Sequence, residues 1–226
     1  MKICVPSLGR AGNSSTLKLL EEYGLLEDTY VFVYDFDYEA YSTVYPKANV
    51  IAVGTEKNLP KKRNKILDYA QQQGWKYILM LDDDVKGMII KSNEGQYKKT
   101  EDYRVIWHVF EDIANQLNGE FTILSPRVNF LYTDPLKQLL SPYNHFSAII
   151  FFNTEKLGEL RYNDSLIEDV DLFIKLNFAG QRSYQIKHCM MGNAMGQKGG
   201  LQDYIKLKDR YDRGMEQIRE TSPLYS

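Results

Sequence analysis

Three consecutive aspartates, Asp82, Asp83 and Asp84, follow the apolar run Y-I-L-M-L at residues 77–81. Adjacent like charges repel, so a chain that stacks them on the tip of a buried strand requires something positive there. Carboxylates at alternate positions, as in Asp82 and Asp84, can direct one side chain at a ribose or a water and the other at a hard divalent cation. Mg²⁺ and Mn²⁺ take such oxygen ligands and complete their shells with phosphates and water. The competing account is an acidic turn that solvates a strand end. Three acids directly behind an apolar strand weigh toward the metal site.

Two further segments carry candidate chemistry. In N-L-P-K-K-R-N, residues 58–64, Lys62 or Arg63 is placed to neutralise a diphosphate near a helix N-terminus, whose backbone dipole also favours anions. The alternative is the solvated start of an amphipathic helix. In I-E-D-V-D-L-F-I-K-L-N-F-A-G, residues 167–180, Leu172, Phe173 and Leu176 give a helical apolar face with Glu168 and Asp169 at its N-terminal end. Asp169 is a candidate general base for an acceptor hydroxyl. A carboxylate stabilised by the helix N-terminus is the alternative.

The elements that must position these groups alternate along the chain. Ile3–Val5 reads as a strand, Ser14–Tyr23 as a helix, Tyr30–Tyr34 as a strand, Glu39–Tyr45 as a short helix and Val50–Val53 as a strand. Pro60–Gln73 follows as a helix, with Pro60 suited to its first turn, and Tyr77–Leu81 as the fourth strand. Strands separated by helices imply crossover connections and a mostly parallel sheet, an α/β fold flanked by helices. The second half reads as α+β: a helix over Asp102–Leu117, strands near Phe121–Leu124 and Ala148–Phe152, a helix from Val170 to Ala179 and a polar helix after Gly200. The stretch Asn93–Thr100 reads as a mobile loop.

Ligands of open parallel sheets bind beyond the carboxyl ends of the strands. The loops there carry P-S-L-G-R-A-G, D-F-D, the 58–64 segment and D-D-D. Asp35 or Asp37, Lys62, Arg63, Asn64 and Asp82–Asp84 should therefore gather at one crevice.

Composition sets the class. With 226 residues, 43% hydrophobic and 26% charged, the chain suits one domain over residues 1–226, divided into a nucleotide-binding half (1–85) and an acceptor-side half with the C-terminal helix (86–226). No apolar stretch is long enough to span a bilayer, which sets the expectation of a soluble cytoplasmic protein. Cys4 and Cys189 lack metal-type spacing and read as inert thiols. The net charge of -2 argues against indiscriminate coating of nucleic acid, while leaving local basic strips free to meet phosphates.

Together, V-P-S-L-G-R-A at the first strand end, L-D-D-D-V at the fourth and E-D-V-D-L-F-I-K-L-N-F-A-G before a helix resemble nucleotide-sugar glycosyltransferases of the GT-A fold. More narrowly, the P-S-x-G-R-A opening resembles the TET-associated glycosyltransferases, a largely phage-encoded group implicated in adding sugars to hydroxymethylated pyrimidines in DNA. The resemblance runs from the first strand to Gly199-Gly200 and implies a GT-A-like, Rossmann-like fold. It also implies a UDP-sugar donor, a Mn or Mg cofactor and a DNA acceptor, most simply 5-hydroxymethylcytosine, in the host cytoplasm if the chain is phage-encoded. Pro6 and Ser7 then match the loop that holds the base, Arg10 a phosphate or base contact, and Asp35 or Asp37 the acid that reads uracil or ribose. Asp82 would meet the ribose and Asp84 the metal, with Asp83 assisting either. Asp169 matches the catalytic base of inverting members, with Glu168 beside it and Asp171 as the fallback. His188 is the candidate late metal ligand, and Lys198 would close over the diphosphate. A flipped acceptor base would be held among Arg127, Phe130, Tyr132, Tyr143, His145 and Phe146. The competing function is a GT-A glycosyltransferase acting on a glycan or polysaccharide; a nucleotidyltransferase lacks its glycine-rich loop here, and a noncatalytic binding module does not account for both acidic motifs.

Overall fold

The computed structural model describes residues 1–91, 95–127, 140–142, 148–165, 167–193 and 207–221. Its first half is a run of crossovers: β1 (Ile3–Pro6), α1 (Ser15–Glu22), β2 (Thr29–Val33), α2 (Tyr38–Val44), β3 (Asn49–Ala52), α3 (Leu59–Gln72) and β4 (Tyr77–Leu81). These strands pair in parallel in the order β3-β2-β1-β4. Because β2 and β4 lie on opposite sides of β1, the loops after β1 and β4 part at that point and open a crevice at the carboxyl edge.

Alternation along the strands explains why both faces need cover. Ile3, Val5, Val31, Val33, Leu79 and Leu81 face one core with α1, α2 and α4 (Tyr103–Gln116). Cys4, Phe32, Ile78 and Met80 face a second core with α3, α5 (Thr154–Leu157) and α6 (Glu168–Phe178). Strands buried on both sides read as continuous apolar runs, which is why β1, β2 and β4 were legible. The caps are equally local: Ser14 Oγ accepts from Leu17 N at 3.1 Å and Asn58 Oδ1 from Lys61 N at 2.8 Å, each satisfying an orphan amide of the helix it starts.

The second half extends the same sheet with mixed pairings. β9 (Ile149–Asn153) runs antiparallel to β4 and to β7 (Ile123–Arg127), while β10 (Ser183–Asn193) runs parallel to β7. β10 also pairs antiparallel with β5 (Val85–Lys91) and with the short β8 (Leu140–Pro142). The α/β class expected from the sequence is the observed one, with its antiparallel pairings concentrated in the α+β half.

The expected mobile loop at Asn93–Thr100 is corrected in part. Tyr97–Thr100 forms β6, antiparallel to β5 in the register Met88↔Thr100 and Ile89↔Lys99, and it is the last strand of the sheet. Its residues are mostly exposed, so Y-K-K-T shows no apolar alternation, and lysines on an edge strand discourage pairing with other chains. Strand β10 escaped the sequence reading because S-Y-Q-I-K-H-C-M-M-G-N mixes polar and apolar residues across a register shift between Ile186 and Met190.

At Gly87, on β5, the backbone leaves no room for a side chain. It adopts φ +85°, and a β-carbon there would stand 2.2 Å from the Thr100 carbonyl oxygen. Gly87→Ala should therefore cost roughly 2–4 kcal/mol of stability by combining a left-handed backbone with a clash. Urea unfolding measures this, and an unchanged midpoint would show that the hairpin is not held at this position.

Candidate functional site

The two loops at the switch point are joined through Asp83. Its carboxylate accepts hydrogen bonds from Ser7 Oγ and from the Arg10 guanidinium, and its backbone carbonyl accepts from Ser14 Oγ at 2.7 Å. Thr16 Oγ1 donates to the Asp82 carbonyl at 2.6 Å and accepts from Val85 N at 2.9 Å, so hydroxyls at the start of α1 brace the aspartate turn from both sides. Tyr41, fully buried, places its phenolic oxygen 2.6 Å from Ser7 Oγ and accepts from Arg10 N at 2.9 Å. Burial pushes the Tyr41 phenol up to about 12, so it stays protonated and serves as a fixed hydrogen-bonding hub.

A second buried cation organises the other side of the turn. Arg63, on the second turn of α3, extends Nη2 to Asp82 at 3.0 Å and Nη1 to both Glu168, at 3.2 Å, and Asp169. Its side chain is 4% exposed, whereas those of Asp82 and Asp169 are 36% and 32% exposed. One guanidinium thus ties the end of β4 to the first turn of α6 and leaves an outward face on each of those two aspartates. Burial opposes the charged guanidinium, but Asp169 foremost, then Asp82, Tyr162 and Glu168, outweigh it and hold Arg63 well above its ordinary pKa. Helix α7 (Leu207–Thr221) braces the same region: a β-carbon on Gly214 would stand 2.6 Å from Ile167, the residue just before α6, and Gln217 Nε2 donates to the Asp164 carbonyl at 2.9 Å.

The acids and bases expected at one crevice do gather at this sheet edge, yet several are engaged differently from the sequence expectation. Lys62 and Arg63 are buried and engaged within the chain, so neither belongs to a solvated helix start. Lys62 is buried, donates to the Ser7 carbonyl and lies 3.7 Å from the centre of the Tyr34 ring. Asn64 spends its amide on the Tyr162 backbone in a reciprocal pair, 2.8 Å in each direction. Asp83, 8% exposed, is an anchor for the β1 loop. Arg10 pairs with Asp83 and stands 3.6 Å from Asp84. Pro6 ends β1. Asp35 and Asp37 accept from the backbone amides of Gly54, at 2.8 Å, and Gly9, at 2.9 Å, closing the neighbouring loops onto one another. Asp171 is buried, 3.4 Å from Lys175, and is not among the carboxylates on Arg63.

His188 is not brought to the aspartates. The β10 residue opposite Val85 is Asn193, and His188 lies five residues earlier on β10, roughly 16 Å away at the rise of an extended strand. Arg127 ends β7 on the crevice edge. Phe130, Tyr132, Tyr143, His145, Phe146 and Lys198 lie outside the described residues.

Sequence reading missed Thr16, Tyr41 and Tyr162, and the bond from Ser14 to the aspartate turn, because these roles come from contacts across 31 or more positions or from burial, neither of which has a local pattern. Phe36 is the exception. It sits inside D-F-D, is 53% exposed, stacks on Tyr34 with ring centres 5.5 Å apart and has Lys57 5.1 Å from its own ring centre. An exposed aromatic between two crevice acids was visible in the sequence.

Among the described residues no group of three His, Cys, Asp or Glu side chains converges as a complete cation cage. The donor set nonetheless suits a hard divalent cation that draws remaining ligands from phosphates and water: Asp84 is 31% exposed at the crevice, and burial followed by the charges of Asp82 and Asp83 raises its pKa. Burial likewise raises Asp83, against the pull of Ser7 and Arg10.

Two outcomes follow from these charges. Ionised Asp84 weakens the free fold at neutral pH, so Asp84→Asn should stabilise the unliganded protein by on the order of 1 kcal/mol, or roughly 2–4 °C in Tm. A lower melting temperature would contradict that electrostatic account. Burial lowers Lys62 from 10.5 to about 8. Between those values the unfolded chain holds a proton that the folded chain has released, so this group makes stability rise with pH from about 8 toward 10.5. In Lys62→Met that rise should be lost, as measured by chemical unfolding across the window; a parent-like slope would assign it elsewhere.

No curated protein matches the chain. Among solved structures, a cytidylyltransferase from Leptospira borgpetersenii serovar Hardjo-bovis (strain JB197) is similar at 14% identity and TM-score 0.49, over 97% of this chain and 93% of that one. A mannose-1-phosphate geranyltransferase from Thermus thermophilus is similar at 13% identity and TM-score 0.46, over 84% and 75%. The family model for TET-associated glycosyltransferases matches residues 1–200, the span that contains β1 through β10 and every residue of the crevice described above, and the chain belongs to that glycosyltransferase family.

Proposed function

We propose that the protein transfers a sugar from a UDP-sugar to the hydroxyl of a hydroxymethylated pyrimidine in DNA, 5-hydroxymethylcytosine in the first instance, with inversion at the sugar carbon. The observation that carries this reading is the placement of Asp82 and Asp169 on opposite nitrogens of one guanidinium, within a glycosyltransferase of this family. A donor-side acid and a candidate base thereby share one small crevice at the sheet edge where the fold binds ligands. Residues 1–85 form the donor half in this scheme and residues 86–226 the acceptor half.

Asp37 and Asp35 hold the loops around the nucleoside, and Phe36 offers a face on which the uracil stacks. Asp82 turns its exposed face to the ribose. Asp84, with Asp82 beside it, would hold a Mn or Mg ion, which when bound offsets the charge of the diphosphate leaving group. Asp169 accepts the proton of the acceptor hydroxyl as the new bond forms between that oxygen and the anomeric carbon. The bond to the diphosphate breaks on the opposite face, and UDP departs with the electron pair. Glu168, 5% exposed, shares the charge of Arg63 and is too enclosed to meet an acceptor directly. A duplex acceptor base would have to leave the helical stack to reach this crevice.

Incubation with a panel of UDP-sugars and hydroxymethylcytosine-containing DNA, followed by mass analysis of the nucleosides, tests the reaction; a sugar mass on a glycan acceptor with none on DNA would replace the acceptor assignment. Asp84→Ala and Asp169→Ala should each lower transfer by about 10²-fold or more. Asp84→Ala alone should weaken metal-dependent UDP binding in calorimetry. Near-parental transfer by either variant removes that residue from its role.

A further inference from the structure

We propose that Arg63 is a positioning residue for transfer: its planar guanidinium sets the spacing between donor-side Asp82 and the base Asp169, an inference that rests on Asp169 being the base. The anchor itself is fixed without any ligand. Arg63 belongs to a helix whose Ile66, Leu67 and Ala70 are fully buried, and its neighbour Lys62 is tied to the Ser7 carbonyl. The side chain is 4% exposed and its Nε is buried with no hydrogen-bond partner among the described residues, so its reach is spent on the carboxylates.

Charge ties the spacing to this group. Asp82, Glu168 and Asp169 bring three carboxylates to a single guanidinium. Without it, the end of β4 and the first turn of α6 would repel one another across the crevice. A lysine would restore the charge but not the fork, because an ammonium on a flexible stem cannot present two nitrogens at fixed separation to two elements. Misplacing a base by about 1 Å can cost on the order of 10²-fold in rate while leaving donor binding intact. That signature differs from a plain structural ion pair, whose loss would degrade binding and turnover together.

The test compares Arg63→Lys and Arg63→Ala with the parent, first by UDP release from UDP-sugar in water, where water replaces the acceptor hydroxyl, and then by DNA modification. Arg63→Lys should lose about 10²-fold in kcat with the donor KM within roughly threefold of the parent. Low, non-denaturing guanidinium should raise the kcat of Arg63→Ala by about tenfold or more, and sodium chloride at equal ionic strength should not. The guanidinium arm decides the matter if Arg63→Lys fails to fold. A parental kcat in Arg63→Lys, or a parallel loss of kcat and affinity without guanidinium rescue, overturns the proposal. A parent that releases UDP but leaves DNA unmodified removes the DNA acceptor and leaves the Arg63 comparison standing. A parent that turns over no UDP-sugar overturns both readings.

Discussion

The density of negative charge at the tip of β4 governs this structure. Three aspartates and two further carboxylates from α6 meet within one crevice, and burial makes each unneutralised charge more expensive than it would be in water. Two arginines make the arrangement tenable, and they divide the work. Arg10 takes Asp83 and approaches Asp84, drawing the β1 loop onto the turn. Arg63 takes Asp82 together with Glu168 and Asp169, drawing the second half of the chain onto the first. Neutralisation is incomplete on the side of Asp84, whose pKa is raised by burial and by its two neighbours. Residual negative potential therefore collects at Asp84, the position that the proposed reaction gives to a divalent cation.

Much of the first half was legible because its physics is local. A strand covered by helices on both faces must be apolar along its length, and a helix must satisfy its first amides, so Ile3–Val5, Tyr77–Leu81 and the helix starts at Ser14 and Pro60 announce themselves. The position of the crevice follows from connectivity, since crossovers that place β4 beside β1 also place the D-D-D turn beside P-S-L-G-R. What stayed hidden is non-local. Strand β6 exists because β5 offers it hydrogen bonds, not because its residues are buried. Nothing in S-Y-Q-I-K-H-C-M-M-G-N shows that its register carries His188 away from the aspartates beside which it was expected.

The site shows the same division. Residue type gave the carboxylates, but not which of them face solvent. Asp83 is consumed by Ser7 and Arg10, whereas Asp82 keeps an exposed face although it too is ion-paired. Cations were the more misleading class. K-K-R beside a helix start reads as a phosphate site, because lysine and arginine are seldom buried without a partner and sequence cannot reveal whether a partner waits. Here the partners lie elsewhere in the fold: a backbone carbonyl and an aromatic face for Lys62, and three carboxylates, two of them more than a hundred residues away, for Arg63.

That exchange of roles bears on how the proposed reaction would meet its diphosphate. With Lys62 enclosed and Arg63 saturated by carboxylates, neither supplies a free positive charge to a leaving group, and Arg10 is already paired. In the proposed reaction, a cation held by Asp84 would supply that charge. The buried arginines act one step earlier, by neutralising the acids from behind so that the cluster is stable. A turn of three adjacent aspartates persists because its neutralising partners sit behind it, leaving its front face anionic and open.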